Sequence, residues 1–240
     1  MSFSPRRRLQ LISLALGATL VLAVTPIAAQ ASVKDPTTKS VLKATLKAMA
    51  KVSGVHIYVT SKTGTQSSVV VVDIGANYGE ETIQSGKNSV KIVVTPTDAF
   101  LSGSPTGLTT IMGLTAAEQK KVGTRSVVMK SGTTPYTSFH SNLTTSVLKG
   151  IMPTAKGTKY KVSSDGAKDY QLTWKTAASS TTSATKSVLT ISSGSKTLPV
   201  KEVITGSTGG GTTTFSKWGE NVVEQAPSGT DTIAYATVMG

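Results

Sequence analysis

Few residues in this sequence are of the types that carry catalysis, and they do not stand in catalytic spacings. The chain of 240 residues contains two histidines, His56 and His140, and no cysteine. A serine hydrolase would need one of these histidines within hydrogen-bond reach of both a serine and a carboxylate. The Gly-x-Ser-x-Gly turn that exposes the serine of many such enzymes is absent. The sequence therefore favours a protein that is not an enzyme, and it leaves a hydrolase as a third option.

Metal sites and acid–base pairs are not indicated either. The two histidines stand far apart and the carboxylates are scattered, so neither a metal site nor a cofactor is expected. Glu80 and Glu81 form an adjacent acidic pair. Successive side chains of a strand point to opposite faces, so this pair is predicted to be solvated near a turn rather than to act as acid and base. The stretch Gly206–Gly211 lacks the lysine of a phosphate loop and is predicted to be a tight hairpin connection.

The first 31 residues are typical of a cleavable signal peptide. Arg6–Arg8 forms a positive start, residues 9–24 are apolar, and Ala29-Gln30-Ala31 supplies the small-x-small pattern before a cleavage site. The mature chain is expected to begin at Ser32. The protein is therefore predicted to be secreted or to work in the extracytoplasmic cell envelope. Because Ala31-Ser32 stands where a lipoprotein has its lipid-bearing cysteine, the protein is not expected to be lipid-anchored.

The chain is basic, with a formal net charge of +13. Its lysines are spread along the sequence and few aromatic residues lie among them, so no nucleic acid is expected as a partner. Anionic lipid headgroups attract basic residues, which makes an anionic membrane surface an expected partner, alongside envelope lipoproteins. A basic surface that only keeps the protein soluble is the alternative interpretation.

The first element of the mature chain is predicted to be an amphipathic helix from Thr38 to Lys51. Its apolar residues recur at three- and four-residue spacing, which is typical of one buried helix face. Its lysines recur every fourth residue and form a column on another side. The apolar stripe contains Leu42, Leu46, Met49 and Ala50, and the column contains Lys39, Lys43, Lys47 and Lys51.

The rest of the chain is predicted to consist mostly of short strands. Helices are expected at residues 107–113 and 114–122, the second with a Thr115/Glu118 capping box, and at residues 138–151. The tail, residues 226–240, is expected to be an extended segment packed against the sheet. Strands are predicted at residues 56–60, 67–74, 78–84, 89–95, 99–102, 124–130, 159–163, 170–175, 187–192, 198–205 and 212–217.

This order of elements predicts an α+β fold in one domain, residues 32–240. The strands are expected to form a single large curved antiparallel sheet, and the helices to cover its apolar, concave face. The tract between Ala177 and Thr185 is rich in serine and threonine and is expected to be a hairpin loop or a disordered tip.

Two stretches near the C-terminus carry a family resemblance. Phe215–Val222, followed by Ala226-Pro227, and Leu198–Glu202 resemble the closing strands of the LolA/LolB and LppX/LprG lipoprotein-carrier superfamily, in its actinobacterial LppX/LprG branch. This chain departs from that branch because it lacks the lipobox cysteine. The resemblance implies a half-barrel whose concave face holds acyl chains beneath the helices.

The resemblance also implies a function and a set of lining residues. The protein would be an exported carrier of lipids or other amphiphiles, acting as a monomer, and the alternative is a cell-envelope sensor or protein-interaction module on the same scaffold. Each lining residue could equally be ordinary core. The expected lining residues are Leu42, Leu46, Met49, Val90, Ile92, Val94, Leu172, Trp174, Leu189 and Ile191.

Overall fold

A computed structural model describes residues 37–152, 161–164, 169–177, 183–193 and 196–240. The predicted signal peptide, residues 1–31, lies outside these residues, as does the middle of the serine- and threonine-rich tract. Within the described ranges, no helix is both long and apolar enough to span a membrane.

One sheet of twelve strands dominates the described part of the chain. Its spatial order is β12-β6-β5-β4-β3-β2-β1-β11-β10-β9-β8-β7, so β7 and β12 form the two edges of an unclosed sheet. The strands are β1 (Gly54–Thr63), β2 (Gln66–Gly75), β3 (Gly79–Ser85), β4 (Asn88–Val94), β5 (Asp98–Gly103), β6 (Ser126–Lys130), β7 (Lys161–Ser164), β8 (Asp169–Thr176), β9 (Thr185–Ser192), β10 (Pro199–Gly206), β11 (Gly209–Ser216) and β12 (Thr232–Ala234).

The predicted α+β class and single large sheet are confirmed. All strand pairs are antiparallel except one, because β12 runs parallel to β6. The tail is therefore not simply extended. After it leaves β11 it reaches the far edge of the sheet, adds β12 there and ends in a short helix.

Alternation along the strands gives the sheet two different faces. We call the face that carries Ile57, Val72, Ile92 and Leu101 the inner face, and these four side chains are fully buried. Directly opposed residues of paired strands point to the same side. The pairings Ile57↔Val72 and Ile92↔Leu101 therefore extend this apolar face across neighbouring strands. The opposite face, called the outer face, carries the intervening residues.

Helical segments cover the inner face. Leu108 of the second helix and Phe139 of the fourth are buried in the same apolar cluster as the inner-face residues, and so are Val41 and Met49 of the first. The helices are α1 (Thr38–Met49), α2 (Pro105–Met112), α3 (Ala116–Val122), α4 (Thr134–Asn142), α5 (Leu148–Ile151) and α6 (Tyr235–Met239), and a 3₁₀ turn occupies Thr145–Val147.

Local sequence signals explain most helix ends. The side chain of Thr37 caps α1 by accepting from the backbone N–H of Ser40. The predicted capping box of α3 is confirmed, since Thr115 and Glu118 bond each other's backbone N–H groups. The expected helix at residues 138–151 is instead two helices, and α4 begins earlier, at Thr134. Pro135 in its first turn explains the early start, because proline is favoured there.

The glycines after residue 208 belong to a strand rather than to a turn. Gly209–Gly211 begin β11 and pair with Ser61, Lys62 and Thr63 of β1. A Cβ atom at Gly209 would collide with the backbone carbonyl of Lys62. These residues are glycine because two backbones approach closely. The prediction took the glycines as a sign of a turn and so did not detect this approach.

Candidate functional site

The candidate site is the inner face of the sheet together with the helices that cover it. One row of directly paired residues crosses this face from β11 to β12. Seven of the eight row members from β11 to β12 are apolar and buried, and the exception, Glu81, lies in the middle. The row is Phe215, Ile57, Val72, Glu81, Ile92, Leu101, Val127 and Ile233.

The residues predicted to line a cavity come together at this site. Their shared faces are as expected: Val90, Ile92 and Val94 alternate along β4, and Leu172 and Trp174 do so along β8. Seven of the ten are buried in one apolar cluster, and the other three are partly buried and pack against it. The buried residues are Met49, Val90, Ile92, Val94, Leu172, Leu189 and Ile191, and the partly buried ones are Leu42, Leu46 and Trp174.

The cover touches the sheet closely beside β3. Leu143, which follows α4, packs on Gly79, where a Cβ atom would collide with the Leu143 carbonyl. The next residue, Thr144, forms a parallel bridge with Gly75 at the end of β2. On the other side of the cover, Tyr136 of α4 donates its hydroxyl to the carbonyl of Pro96 at 2.8 Å. Glycine at position 79 therefore lets the helical cover lie directly against the sheet.

Glu81 contradicts the predicted solvated pair. Glu80 points to the outer face and pairs with Lys91 at 2.9 Å, whereas the Glu81 side chain is 1% exposed. Neither carboxyl oxygen of Glu81 has a hydrogen-bond partner. Burial raises the pKa of Glu81 from 4.5 to about 7. Strand alternation places the two glutamates on opposite faces as expected, but the register of β2, β3 and β4 buries one of them.

A second carboxyl group, that of Glu202 on β10, also lies on the inner face. Its directly paired neighbours, Leu189 and Thr213, are both buried. Burial raises the pKa of Glu202 to about 6, while a hydrogen bond with Ser187 acts in the opposite direction. Glu202 differs from Glu81 in having this partner and in being only partly buried.

The lysines of the sheet lie on the other side. Residue alternation in β1–β6 and β8–β11 places every strand lysine on the outer face, where each is exposed. In these strands the inner face thus carries two carboxyl groups and no amino group. The outer-face lysines are Lys62, Lys91, Lys130, Lys175, Lys186 and Lys201.

His56 and Asp73 form the histidine–carboxylate pair that a catalytic triad would contain. Nδ1 of His56 lies 2.7 Å from Oδ1 of Asp73, its cross-strand neighbour on the outer face. Within the described ranges no serine hydroxyl is hydrogen-bonded to His56 or to His140. His140 lies in the last turn of α4, not near a helix start, with its ring 5.3 Å from that of Tyr136. Among the described residues, neither histidine therefore has a serine nucleophile bonded to it.

Acidic residues gather near His56 on the outer face. Glu224, in the segment after β11, has its pKa raised first by burial and then by the neighbouring Glu80 and Asp73. Glu224 therefore lies close to Glu80 and Asp73, over the outer face of β2 and β3. The described residues contain no group of three or more side chains suited to hold a metal ion.

An open groove of about 560 Å³ lies at the ends of the β8–β9 hairpin and β10. It includes none of the predicted lining residues. Its lining residues are Lys175, Thr176, Ala177, Ala184, Thr185, Lys186 and Thr205.

No protein-family model matches the sequence, and no curated protein matches it either. Solved structures do match. The fold is similar to that of two mycobacterial lipoproteins. The lipoprotein LppX of Mycobacterium tuberculosis is 17% identical with a TM-score of 0.44, and the match covers 78% of this chain and 99% of LppX. LprF of Mycobacterium bovis is 15% identical with a TM-score of 0.43, and the match covers 82% of this chain and 100% of LprF.

LppX is one of the proteins for which the resembled LppX/LprG branch is named. Identities this low concern the outline of the fold and not a ligand. What the site binds has to be argued from the residues of its inner face and cover.

Proposed function

We propose that the protein is an exported, non-enzymatic carrier that binds lipids or other amphiphiles between the inner face and its helical cover. The observation that carries this proposal is the asymmetry of the sheet. One largely apolar face, which also carries Glu81 and Glu202, extends over the strands from β6 to β9, and short helical segments cover it where a sandwich would have a second sheet. The cargo would lie on the apolar face, against the ten lining residues named above.

The energy of such binding comes from burial. Moving a methylene group out of water contributes about 0.8 kcal/mol, so an acyl chain of a dozen carbons gains useful affinity without any chemical step. The cover is suited to admit a chain because its pieces are short. α5 has 4 residues and α4 has 9, and helices of this length depend on packing rather than on their own stability.

Partly buried apolar residues offer the cargo its first contacts. Leu42 and Leu46 of α1 and Trp174 of β8 pack against the core while keeping some exposure. An incoming chain would meet these residues before it displaces the fully buried ones. Their burial on binding would add to the favourable free energy.

The lysine column of α1 supports delivery at an anionic membrane surface. Lys39, Lys43, Lys47 and Lys51 are all exposed, and no acidic partner binds them in the described part of the chain. Lys39, Lys43 and Lys47 lie in α1 with Leu42 and Leu46, and Lys51 lies two residues after its end. Attraction to lipid headgroups would therefore bring the partly buried apolar residues close to the bilayer.

Native mass spectrometry tests the carrier function. The chain would be expressed with its signal peptide in an actinobacterial host, and the mature protein, residues 32–240, would be purified without detergent. We expect a mass excess that disappears on organic extraction and that matches a lipid in the extract. A bare polypeptide mass that stays bare after incubation with envelope lipids would refute the carrier function.

The sensor or interaction module has less support. Such a module would expose a contiguous apolar patch, but the large apolar residues that are exposed in the described ranges lie on four separate elements. These residues are Tyr58, Val200, Val223 and Met239.

A further inference from the structure

Glu81 is placed by the sheet register at a position that otherwise requires an apolar residue. Its direct partners are Val72 on β2 and Ile92 on β4, both fully buried. The diagonal neighbours on the same face are apolar as well. These neighbours are Val70, Ile74, Val90 and Val94.

A carboxyl group in such a place destabilises the fold. Both oxygens are shielded from solvent and neither accepts nor donates a hydrogen bond. A buried polar group without a partner destabilises the folded state, and buried groups of this kind are rare in native proteins. Valine or isoleucine at position 81 would continue the row without this loss. The unpartnered carboxyl thus points to a bonding partner that is not part of the chain.

The charge pattern of the inner face limits the chemistry of that partner. In β1–β6 and β8–β11 the ionisable groups of this face, apart from a phenol, are the carboxyls of Glu81 and Glu202. No lysine is present there to neutralise an anion. On the side of these strands, a buried carboxylate or phosphate of a ligand would therefore face carboxyl groups and no amino group, whereas a hydroxyl, amide or amine would find acceptors.

We propose that Glu81 is the polar anchor of the cargo site and that it selects amphiphiles carrying a hydrogen-bond donor, a hydroxyl or an amine, along or at one end of the apolar chain. This inference rests on the proposed carrier function and deepens it. Cargo whose buried polar group is anionic is rejected, and cargo without a donor binds more weakly because Glu81 then stays unpartnered.

The protonation behaviour of Glu81 agrees with this role. With a pKa raised to about 7 by burial, the group is a neutral carboxylic acid in an apolar surrounding and becomes a carboxylate when a cation lies beside it. The neutral form both donates to and accepts from a hydroxyl. The ionised form pairs with an ammonium group, and such charge-assisted hydrogen bonds are the stronger kind.

The position of Glu81 relative to the cover explains how the cargo reaches it. Glu81 is two residues from Gly79 on the same face of β3, and Gly79 lies under Leu143. Movement of the segment from Leu143 through α5 away from β3 would open the surface next to Glu81. The carboxyl then lies at the inner end of the path, where it contacts the polar group of a chain that has entered beneath the cover.

Four probes with the same C12 chain test this selection. Dodecylamine, dodecanol, 1-methoxydodecane and dodecanoate would displace Nile red from delipidated protein of residues 32–240, each below its solubility limit or micelle concentration. For the unaltered protein we expect dodecanol to bind about 3- to 10-fold more tightly than the ether, as one net hydrogen bond allows. Dodecylamine should bind more tightly still, and dodecanoate more weakly than the ether.

Variants at position 81 identify the group responsible. Glu81→Leu should bind dodecanol and the ether about equally, and Glu81→Gln should keep the preference for dodecanol but lose the added affinity for dodecylamine. Glu80→Gln is the matched control, since Glu80 is the next residue on the outer face, and it should leave all four affinities unchanged. If Glu81→Leu does not fold, Glu81→Gln alone still decides through the dodecylamine affinity.

The possible failures are distinct from one another. Displacement by none of the four probes would refute the proposed carrier function itself. Displacement by all four with the same order of affinities in the unaltered protein and in Glu81→Leu would overturn the anchor but not the carrier function. In that case the carboxyl holds only a water molecule.

Discussion

At the scale of single residues, the molecule places one carboxyl group where physical chemistry disfavours it. Glu80 and Glu81 differ by one position, yet one pairs with Lys91 at the surface and the other is buried among valines and isoleucines. Adjacent residues of a strand have opposite environments whenever one sheet face is buried. An ionisable group on the buried side makes stability depend on pH.

The direction of that dependence follows from the raised pKa. Between pH 4.5, the ordinary value, and about 7, folded Glu81 keeps its proton while the unfolded chain releases it. Below this window Glu81 has no effect on the free energy of unfolding. The free energy of unfolding decreases as the pH rises through the window, and above the window the decrease is complete. The loss is about 3 kcal/mol, at 1.36 kcal/mol per pKa unit.

No charged neighbour complicates this prediction. The same-face residues of β2 and β4 are apolar, and burial alone shifts the pKa of Glu81. On the cover, Tyr136 is bonded to the carbonyls of Thr95 and Pro96, and His140 lies beside Tyr136. The lysines of α1 are exposed.

Urea unfolding of the unaltered protein and of Glu81→Gln between pH 4 and 8 measures the effect. The difference in unfolding free energy should change by about 3 kcal/mol across the window, in favour of the variant at high pH. Glu202→Gln is the comparison, because the pKa of Glu202 is raised only to about 6, so its contribution should be complete by that pH. A constant difference for Glu81→Gln would mean that Glu81 is solvated.

At the scale of elements, α1 separates two kinds of residue on one short helix. Val41, Thr45 and Met49 are buried, while its lysines repeat every fourth residue and are exposed. Like charges at this spacing repel one another, so packing rather than surface charge stabilises the helix. A repeated unfavourable pattern suggests use at an anionic surface.

Replacing Lys39, Lys43, Lys47 and Lys51 by glutamine should weaken binding to phosphatidylglycerol vesicles by up to about a thousandfold, at about 1 kcal/mol per lysine near the surface. Sedimentation with sucrose-loaded vesicles measures this binding. The control variant removes the same charge elsewhere, by Lys62→Gln, Lys175→Gln, Lys186→Gln and Lys201→Gln on the outer face. Equal losses in both variants would show that net charge, and not α1, determines binding.

Elements with local signals could be predicted from the sequence. The capping box of α3 and the alternation of β4 each depend on residues close in the chain, and the structure confirms both. A helix forms at α1 as predicted, but its buried residues are Val41, Thr45 and Met49, whereas Leu42 and Leu46 of the predicted stripe are only partly buried. The prediction that the glycines at the start of β11 form a turn is wrong, because they lie in a strand that approaches the backbone of β1 closely. The predicted start of α4 is also wrong, because Pro135 lets the helix begin earlier.

The buried state of Glu81 could not be predicted for a related reason. It depends on the register of three strands, and a shift of one residue in β3 would expose Glu81 and bury Glu80. The shared face of Val90, Ile92 and Val94 is easier to predict, since strand alternation alone places these residues on one side of β4. Which helices cover them is a tertiary property. Leu143 contacts Gly79, which is 64 positions away in the chain, and the local sequence around either residue does not predict this contact.

At the scale of the whole molecule, the sheet joins distant parts of the chain into one frame. β1 pairs with β11, so Ile57 lies beside Phe215, and β12 brings the C-terminal segment beside β6. Each interior strand is hydrogen-bonded on both sides. The cover lacks such ladders and is attached through side-chain packing and a few contacts, such as the bridge between Gly75 and Thr144.

This difference predicts unequal local stability. Hydrogen exchange is fast where a segment opens without global unfolding. Amides of α4, the 3₁₀ turn and α5 should therefore exchange faster than those of β1–β4 in the delipidated protein. Addition of dodecanol should slow exchange in the cover, because bound cargo stabilises the closed arrangement by mass action. The strand ladders should change little.

Mass spectrometry of peptides resolves these segments, and α6 is the internal control, since it packs on β6 and β12 at the sheet edge rather than over β3. Slow exchange in the cover both with and without dodecanol would mean that the inner face is a closed core and that cargo does not enter beneath α4 and α5. Slowing throughout the protein would indicate general stabilisation. Only slowing confined to the cover agrees with a chain that binds between a rigid sheet and a mobile set of short helices.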